Sequence, residues 1–312
     1  MECKNGTPVI EFFLLGFSDH SEQQSSLFVF FLTVYLLSLA GNILIISVVN
    51  LDPQLSTPMY FFLGNLSFVD FCLTSVTVPL LLVNLLSKDG RTPLPNCITQ
   101  MYFFIWMVTT ESILLGVMAY DRYVAICNPL RYHIVMSRNR CFLLVLESWG
   151  SVSLHSLMHT LMACRLSFCG PNVISSFFCD VPAVLKLSSS DTTANQLLIL
   201  VEGSSIAIVP SVFIVVSYAN IVSTVLKLQS SQKRQKAFST CSSHLMVVIL
   251  FYGTICFMYF RPASVSSLEY DRAVSVMYTM VTPMLNSFIY SLRNKEIKGA
   301  IRRILKRKLC HS

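Results

Sequence analysis

Leu27–Val49 reads LFVFFLTVYLLSLAGNILIISVV, 23 consecutive residues without a charge. Coiled as an α-helix it reaches about 34 Å, enough to cross the roughly 30 Å hydrocarbon core of a bilayer. The rest of the chain repeats this pattern. Apolar windows separated by Pro, Asn, Asp and basic punctuation run over 26–49, 58–83, 97–120, 141–163, 196–226, 238–260 and 272–292. The composition agrees: of 312 residues 54% are hydrophobic and 12% charged, about half the charge of an ordinary water-soluble domain. The expected fold is therefore all-α and membrane-embedded, a seven-transmembrane helix bundle over 26–292. An N-terminal segment, 1–25, precedes it and a cytoplasmic tail, 293–312, follows it.

Lys and Arg accumulate on the cytoplasmic side of a membrane protein. Of the 23 here, sixteen fall on the side holding 121–140, 227–237 and 293–312, and seven on the side of the N-terminus. That puts the N-terminus outside and the C-terminus in the cytosol, in a multi-pass protein of the plasma membrane. The apolar run Phe12–Phe17 is too short for a signal peptide, so the first span is expected to start insertion. Asn5-Gly6-Thr7 is a glycosylation acceptor on the outer side, whereas Asn65-Leu66-Ser67 falls inside a span and is discounted. The net charge of +7 sits in the tail and not on a domain face, which argues against nucleic-acid binding. The eleven cysteines are spread along a chain of 312 residues, many of them within apolar runs, which is no small disulfide scaffold.

Ionisable groups inside a bilayer are costly and face the bundle interior. Asp70 and Glu111 both fall near mid-membrane by helical rise, and Asn42 and Asn286 are their natural hydrogen-bond partners. Two readings stand. Either a monovalent cation or a shared proton sits between the acids, or a neutral acid holds Asn42 or Asn286 in place. On span 3 the stripe Phe104, Val108, Glu111, Leu115, Met118, Arg122 lines the interior and ends on a charge at the inner mouth. His155 and His159 are one turn apart on span 4, a metal pair in principle but incomplete with two donors, so inter-helix hydrogen bonding is the expected role. Glu147, in the same span, is left undecided. G-x-S-x-G, H-E-x-x-H, P-loop and G-x-G-x-x-G motifs are all absent, as are internal repeats. An enzyme is not expected, nor a resident cofactor beyond that cation. A transporter using Asp70 and Glu111 as its coupling site is the rival, and it lacks the expected repeats.

Met118-Ala119-Tyr120-Asp121-Arg122-Tyr123-Val124-Ala125-Ile126-Cys127 resembles the signature of olfactory receptors among the rhodopsin-like G-protein-coupled receptors. Further runs agree: Pro58–Asp70 (PMYFFLGNLSFVD), Ser217-Tyr218, Lys236–His244 (KAFSTCSSH) and Pro283–Asn294 (PMLNSFIYSLRN). The resemblance implies a receptor that binds small volatile molecules in an outer cavity and activates a stimulatory heterotrimeric G protein. It also implies that Asp121 and Arg122, with Tyr123 beside them, form the switch at the G-protein face, with Tyr218 and Tyr290 rearranging around Arg122. Cys97 matches the cysteine that bridges to the second outer loop, at Cys179. Two departures stand out. The run Leu187-Ser188-Ser189-Ser190-Asp191 lacks the cysteine expected to pair with Cys169, leaving Cys164 as partner or a free thiol. Ser287 also replaces a common proline, which leaves Pro283 as the kink source in span 7.

Inward faces by helical spacing give a ligand lining of Phe104, Ile105, Val108, Thr109, Glu202, Ile206, Tyr252, Ile255, Tyr259, Val276 and Thr279. Such a lining suits small hydrophobic molecules, with Glu202 either a polar handle or a carboxylate reaching for the outer interface. In the tail, Ile297, Ile301, Ile304 and Leu305 oppose Lys295, Lys298, Arg302, Arg303 and Arg307, the pattern of an amphipathic helix on an anionic leaflet. Cys310 is the expected site of a reversible acyl anchor.

Overall fold

A computed structural model describes residues 8–17, 21–87, 89–227, 229–259 and 268–310. Asn5 lies outside them, as do the side chains of Tyr259, Arg307 and Cys310. The long helices are α1 (Ser21–Leu51), α2 (Pro58–Ser87), α3 (Leu94–Cys127) and α5 (Arg138–Cys164), with the single turn α4 (Tyr132–Val135) between the last two. After α6 (Val181–Leu185), the fifth span is made of α7 (Thr193–Leu198), a wide turn over Ile199–Gly203 and α8 (Ser204–Leu226). The sixth is α9 (Ser231–Tyr259). The seventh is α10 (Leu268–Val276), a second wide turn over Met277–Val281 and α11 (Thr282–Arg293), and α12 (Lys295–Cys310) follows.

Five of these segments are long and apolar enough to cross a bilayer, and Cys241–Cys256 is a shorter apolar stretch. The two wide turns are departures from the expected continuous spans. Hydropathy registers which residues are apolar and not the backbone's hydrogen-bond register, so a one-residue loosening of a helix leaves no mark on it. The second wide turn ends just before Pro283, which occupies the first turn of α11 where its missing N–H costs nothing.

α3 is the hub, packed on α2, α5, α8 and α9, while α1 closes against α2 and α11. Small residues set the close crossings. Gly116 lies under Pro210 of α8, and a side chain at Gly41 of α1 would collide with Ser287 of α11. Ser287 Oγ itself donates to the Met284 carbonyl at 2.7 Å. α3 is tied to α5 by Trp106 Nε1, which donates to the Trp149 carbonyl at 3.0 Å, and by Tyr102 Oη, which meets Ser153 Oγ at 2.9 Å. The outward faces stay apolar: Val209, Val212 and Val215 on α8 are exposed, as are Leu154, Leu157 and Leu161 on α5. Stripes of that extent are not tolerated in water and mark the lipid-facing surface.

Near the Cys97 end the chain is not purely helical, contrary to expectation. β1 (Glu11–Leu14) pairs antiparallel with β2 (Arg91–Pro93) and parallel with β3 (Val173–Ile174), so the run read only as a failed signal peptide is a central strand. Its alternate residues Phe12 and Leu14 are buried, Phe12 edge-on to Phe168 at 5.3 Å. Gly90 has φ of 54° and gives its carbonyl to Leu14 N at 2.8 Å, a backbone that other residues adopt at a cost.

Candidate functional site

The stripe on α3 is an internal axis, with Phe104, Glu111, Leu115 and Met118 buried and Val108 and Arg122 partly so. At the Cys97 end, Phe104 packs on Phe178 (4.9 Å between ring centroids) and Tyr278 (6.0 Å). Phe178 is held there because its neighbour Cys179 is bridged to Cys97. Gln100 Oε1 accepts from Cys179 N at 2.9 Å while its amide donates to the Val76 carbonyl at 2.9 Å, pinning the loop to α2 and α3. Neither Phe178 nor Tyr278 was in the expected lining. Phe178 is on a loop with no helical period, and Tyr278 is in the wide turn that rotates it inward relative to Val276. Cys169 is also disulfide-bonded, and Cys164 is not its partner because Cys164 is a free thiol.

Of the other expected lining residues, Ile105, Thr109 and Thr279 are buried and Tyr252, Ile255 and Val276 partly buried. Tyr252 Oη meets Ser112 Oγ at 2.9 Å, joining α9 to α3 one residue beyond Glu111. Tyr259 lies outside the described side chains. Glu202 and Ile206 are set apart from this group. They line a cleft of about 400 Å³ between α5 and α8 with Leu154, His155, Met158 and Ser205. Glu202 turns to α5. Its Oε2 lies 3.0 Å from His155 Nδ1 and 3.6 Å from His159 Nε2.

At mid-membrane, one amide serves two acids. Asn286 Nδ2 donates to Asp70 Oδ2 at 3.2 Å and to Glu111 Oε1 at 3.1 Å, and Glu111 Oε2 has no partner among the described residues. Asp70, Glu111 and Asn286 are all fully buried. Asn42 is not part of this group. Its amide donates to the Ser38 carbonyl at 3.0 Å and to the Pro283 carbonyl at 3.4 Å, so it fastens α1 to α11.

At the other end of the axis, the buried Asp121 accepts from Tyr132 Oη at 2.8 Å. Arg122 is in Coulombic reach of Tyr218, Tyr290 and His244, and its Nε has no partner among the described residues. Tyr218 Oη and His244 Nδ1 are 2.7 Å apart with their rings stacked, joining α8 to α9. Tyr290 Oη is buried with no partner among the described residues. Tyr123 is partly buried and stacks on Tyr120. His244 and Tyr132 are additions to the expected switch. Both stood in quoted or adjacent sequence, but nothing in one sequence tells which polar group faces which helix.

α12 is amphipathic as expected, with Ile297 and Ala300 fully buried and Ile301 and Ile304 packed against the core. Arg303 is the exception to its basic face. Its Nε and Nη2 donate to Asp52 Oδ2 at 2.9 and 2.6 Å, and Tyr60 Oη donates to Glu296 Oε2 at 2.8 Å. The helix is therefore fixed to the α1–α2 connection.

Residues 31–308 match the family model described as olfactory receptor. Among curated proteins, the chain is 51% identical over the full length of both chains to Olfactory receptor 1G1 of Gorilla gorilla gorilla. It is 50% identical to Olfactory receptor 1E1 of Homo sapiens, over 99% of this chain and 98% of that one. It is 48% identical to Olfactory receptor 1M1 of Mus musculus over the whole of both. The crystal structure of squid rhodopsin superposes with a TM-score of 0.67 at 18% identity, covering 94% of this chain and 88% of that one, a likeness of fold.

Proposed function

Because the chain belongs to the olfactory receptor family, and so is a multi-pass G-protein-coupled receptor of the plasma membrane and not an enzyme, we propose how it signals. It takes up small, mostly hydrophobic volatile molecules in the half of the bundle near Cys97, which faces outward, and activates a stimulatory heterotrimeric G protein at the Arg122 end. Cellular cAMP then rises. The observation that carries this reading is the continuity of α3. One continuous helix runs from the aromatic cluster at Phe104, past the Asp70–Asn286–Glu111 group, to Arg122, which is within Coulombic range of Tyr218 and Tyr290. A ligand that repacks Phe104, Phe178 and Tyr278 acts on the element that carries the cytoplasmic switch, and it shifts the equilibrium only by binding one arrangement better than the other.

The lining supports ligand class. Phe, Ile, Val and Tyr dominate it, so burial and dispersion supply affinity, with Thr109, Thr279 and Tyr252 as polar handles that orient the molecule, while Glu202 in the neighbouring cleft is tested separately as a further contact. The two mid-membrane acids hold one positive charge between them, a monovalent cation or a shared proton, since two bare carboxylates on one amide would repel strongly at that depth. The orphaned Glu111 Oε2 fits either occupant. The lipid bilayer, through α12 and the Cys310 anchor, is the remaining partner.

The test is a panel of matched amines, alcohols and hydrocarbons applied to cells expressing the wild type and Glu202→Gln, with cAMP as readout. A family of small apolar agonists is expected, with amines or alcohols losing rank in the variant. An unchanged ranking removes Glu202 from ligand contact, and silence across the panel at normal surface expression counts against the pocket.

A further inference from the structure

Sequence places His155 and His159 one turn apart on α5, two donors that do not complete a site. The fold brings a third donor from another element. The wide turn over Ile199–Gly203 swings Glu202 across to α5, where the two imidazoles stand T-shaped with centroids 4.6 Å apart. The two nitrogens and the carboxylate oxygen all lie within 4.8 Å of one another, and the Glu202 contacts are 3.0 and 3.6 Å. Zinc binds His nitrogen and carboxylate oxygen at about 2.0–2.2 Å in a tetrahedron, which spaces the donors by about 3.3 Å. Two of the three separations already bracket that value, and side-chain rotation closes the third.

We infer that His155, His159 and Glu202 form a binding site for Zn²⁺ that clamps α5 to the start of α8. The donor set selects the ion. Two neutral imidazoles and one carboxylate suit zinc, whereas Mg²⁺ and Ca²⁺ require shells of oxygen. Three protein ligands leave the fourth tetrahedral position open, and it faces the 400 Å³ cleft lined also by Met158, Ser205 and Ile206. Since α8 also carries Tyr218, fixing its outer end to α5 biases the switch at its inner end. Metal binding rests on the geometry of three side chains, whereas its effect on the switch rests on the receptor reading above.

The experiment uses the purified full-length receptor in detergent, titrated with ZnCl₂, with MgCl₂ and CaCl₂ as controls. A saturable rise in Tm of several degrees is expected with Zn²⁺ alone, lost in Glu202→Gln and in His155→Ala. Co²⁺ added to the wild type is expected to give the intense visible bands of a four-coordinate site, a reading that needs no variant to fold. No saturable shift together with no Co²⁺ spectrum overturns the site. A shift that survives both substitutions also overturns it, because the metal is then bound elsewhere.

Discussion

Asn286 has two amide hydrogens and three carboxylate oxygens within 3.4 Å. Replacing it with Leu leaves Asp70 and Glu111 buried without their common donor, at a cost of about 3 kcal/mol or more. The expected outcome is a fall in surface expression and Tm, and a variant that matches wild type in both would show that the amide is dispensable. Gly90→Ala is a milder case. Its φ of 54° and the Leu14 carbonyl 2.9 Å from the added Cβ predict a loss of about 1–2 kcal/mol, read as a lower Tm with cAMP signalling retained. Asp180, in the loop at the Cys97 end, responds to pH. It caps α6 by accepting from Val181 N, yet burial pushes its carboxyl up to about 6. A folded value above the unfolded one means the fold binds the proton more tightly, so stability falls as pH rises from about 4 through 6. Asp180→Asn, which keeps the cap acceptor, is expected to remove that slope from a pH series of Tm. At this scale, Asp70, Glu111 and Asn286 were legible because polar residues in an apolar run have few places to go. The full Glu202–His155–His159 cluster was not, since Glu202 lies more than forty residues from the two histidines and reaches them from a wide turn that hydropathy does not register.

The elements divide in the same way. Long helices follow from apolar length, and the amphipathic period of α12 is plain in Ile297, Ile301 and Ile304. Its docking is not, because Arg303 looks like any other base on a basic face until Asp52 is found beside it. A double-mutant cycle over Asp52→Asn and Arg303→Ala is expected to give a coupling of about 1 kcal/mol in Tm-derived stability, with Asp52 buried and Arg303 about one-third exposed. Zero coupling would make α12 a purely lipid-bound helix. The small sheet over the outer face escaped sequence reading for another reason: strands of two to four residues carry too few alternations to register a period, and their pairing is set by loops from three parts of the chain. The Cys97–Cys179 bridge closes a separation of 82 residues. Loop entropy alone would assign it about 4 kcal/mol, an upper bound because an unfolded reference that retains helices has less freedom to lose. Cys97→Ser is expected to lower surface delivery sharply by freeing the loop that holds Phe178.

For the whole molecule, the account joins two ends of one bundle through α3. Lipid-facing stripes on α5 and α8 fix its setting, the family likeness fixes its class, and the buried polar groups along α3 give the route between the ends. Arg122 lies about 27 Å of helical rise from Phe104, too far to touch a ligand seated there. The most direct test is therefore the odorant-evoked cAMP response of the wild type and of Arg122→Ala at matched surface expression. The account predicts a concentration-dependent rise for some panel members in the wild type and none in Arg122→Ala. A variant that raises cAMP as the wild type does would contradict it.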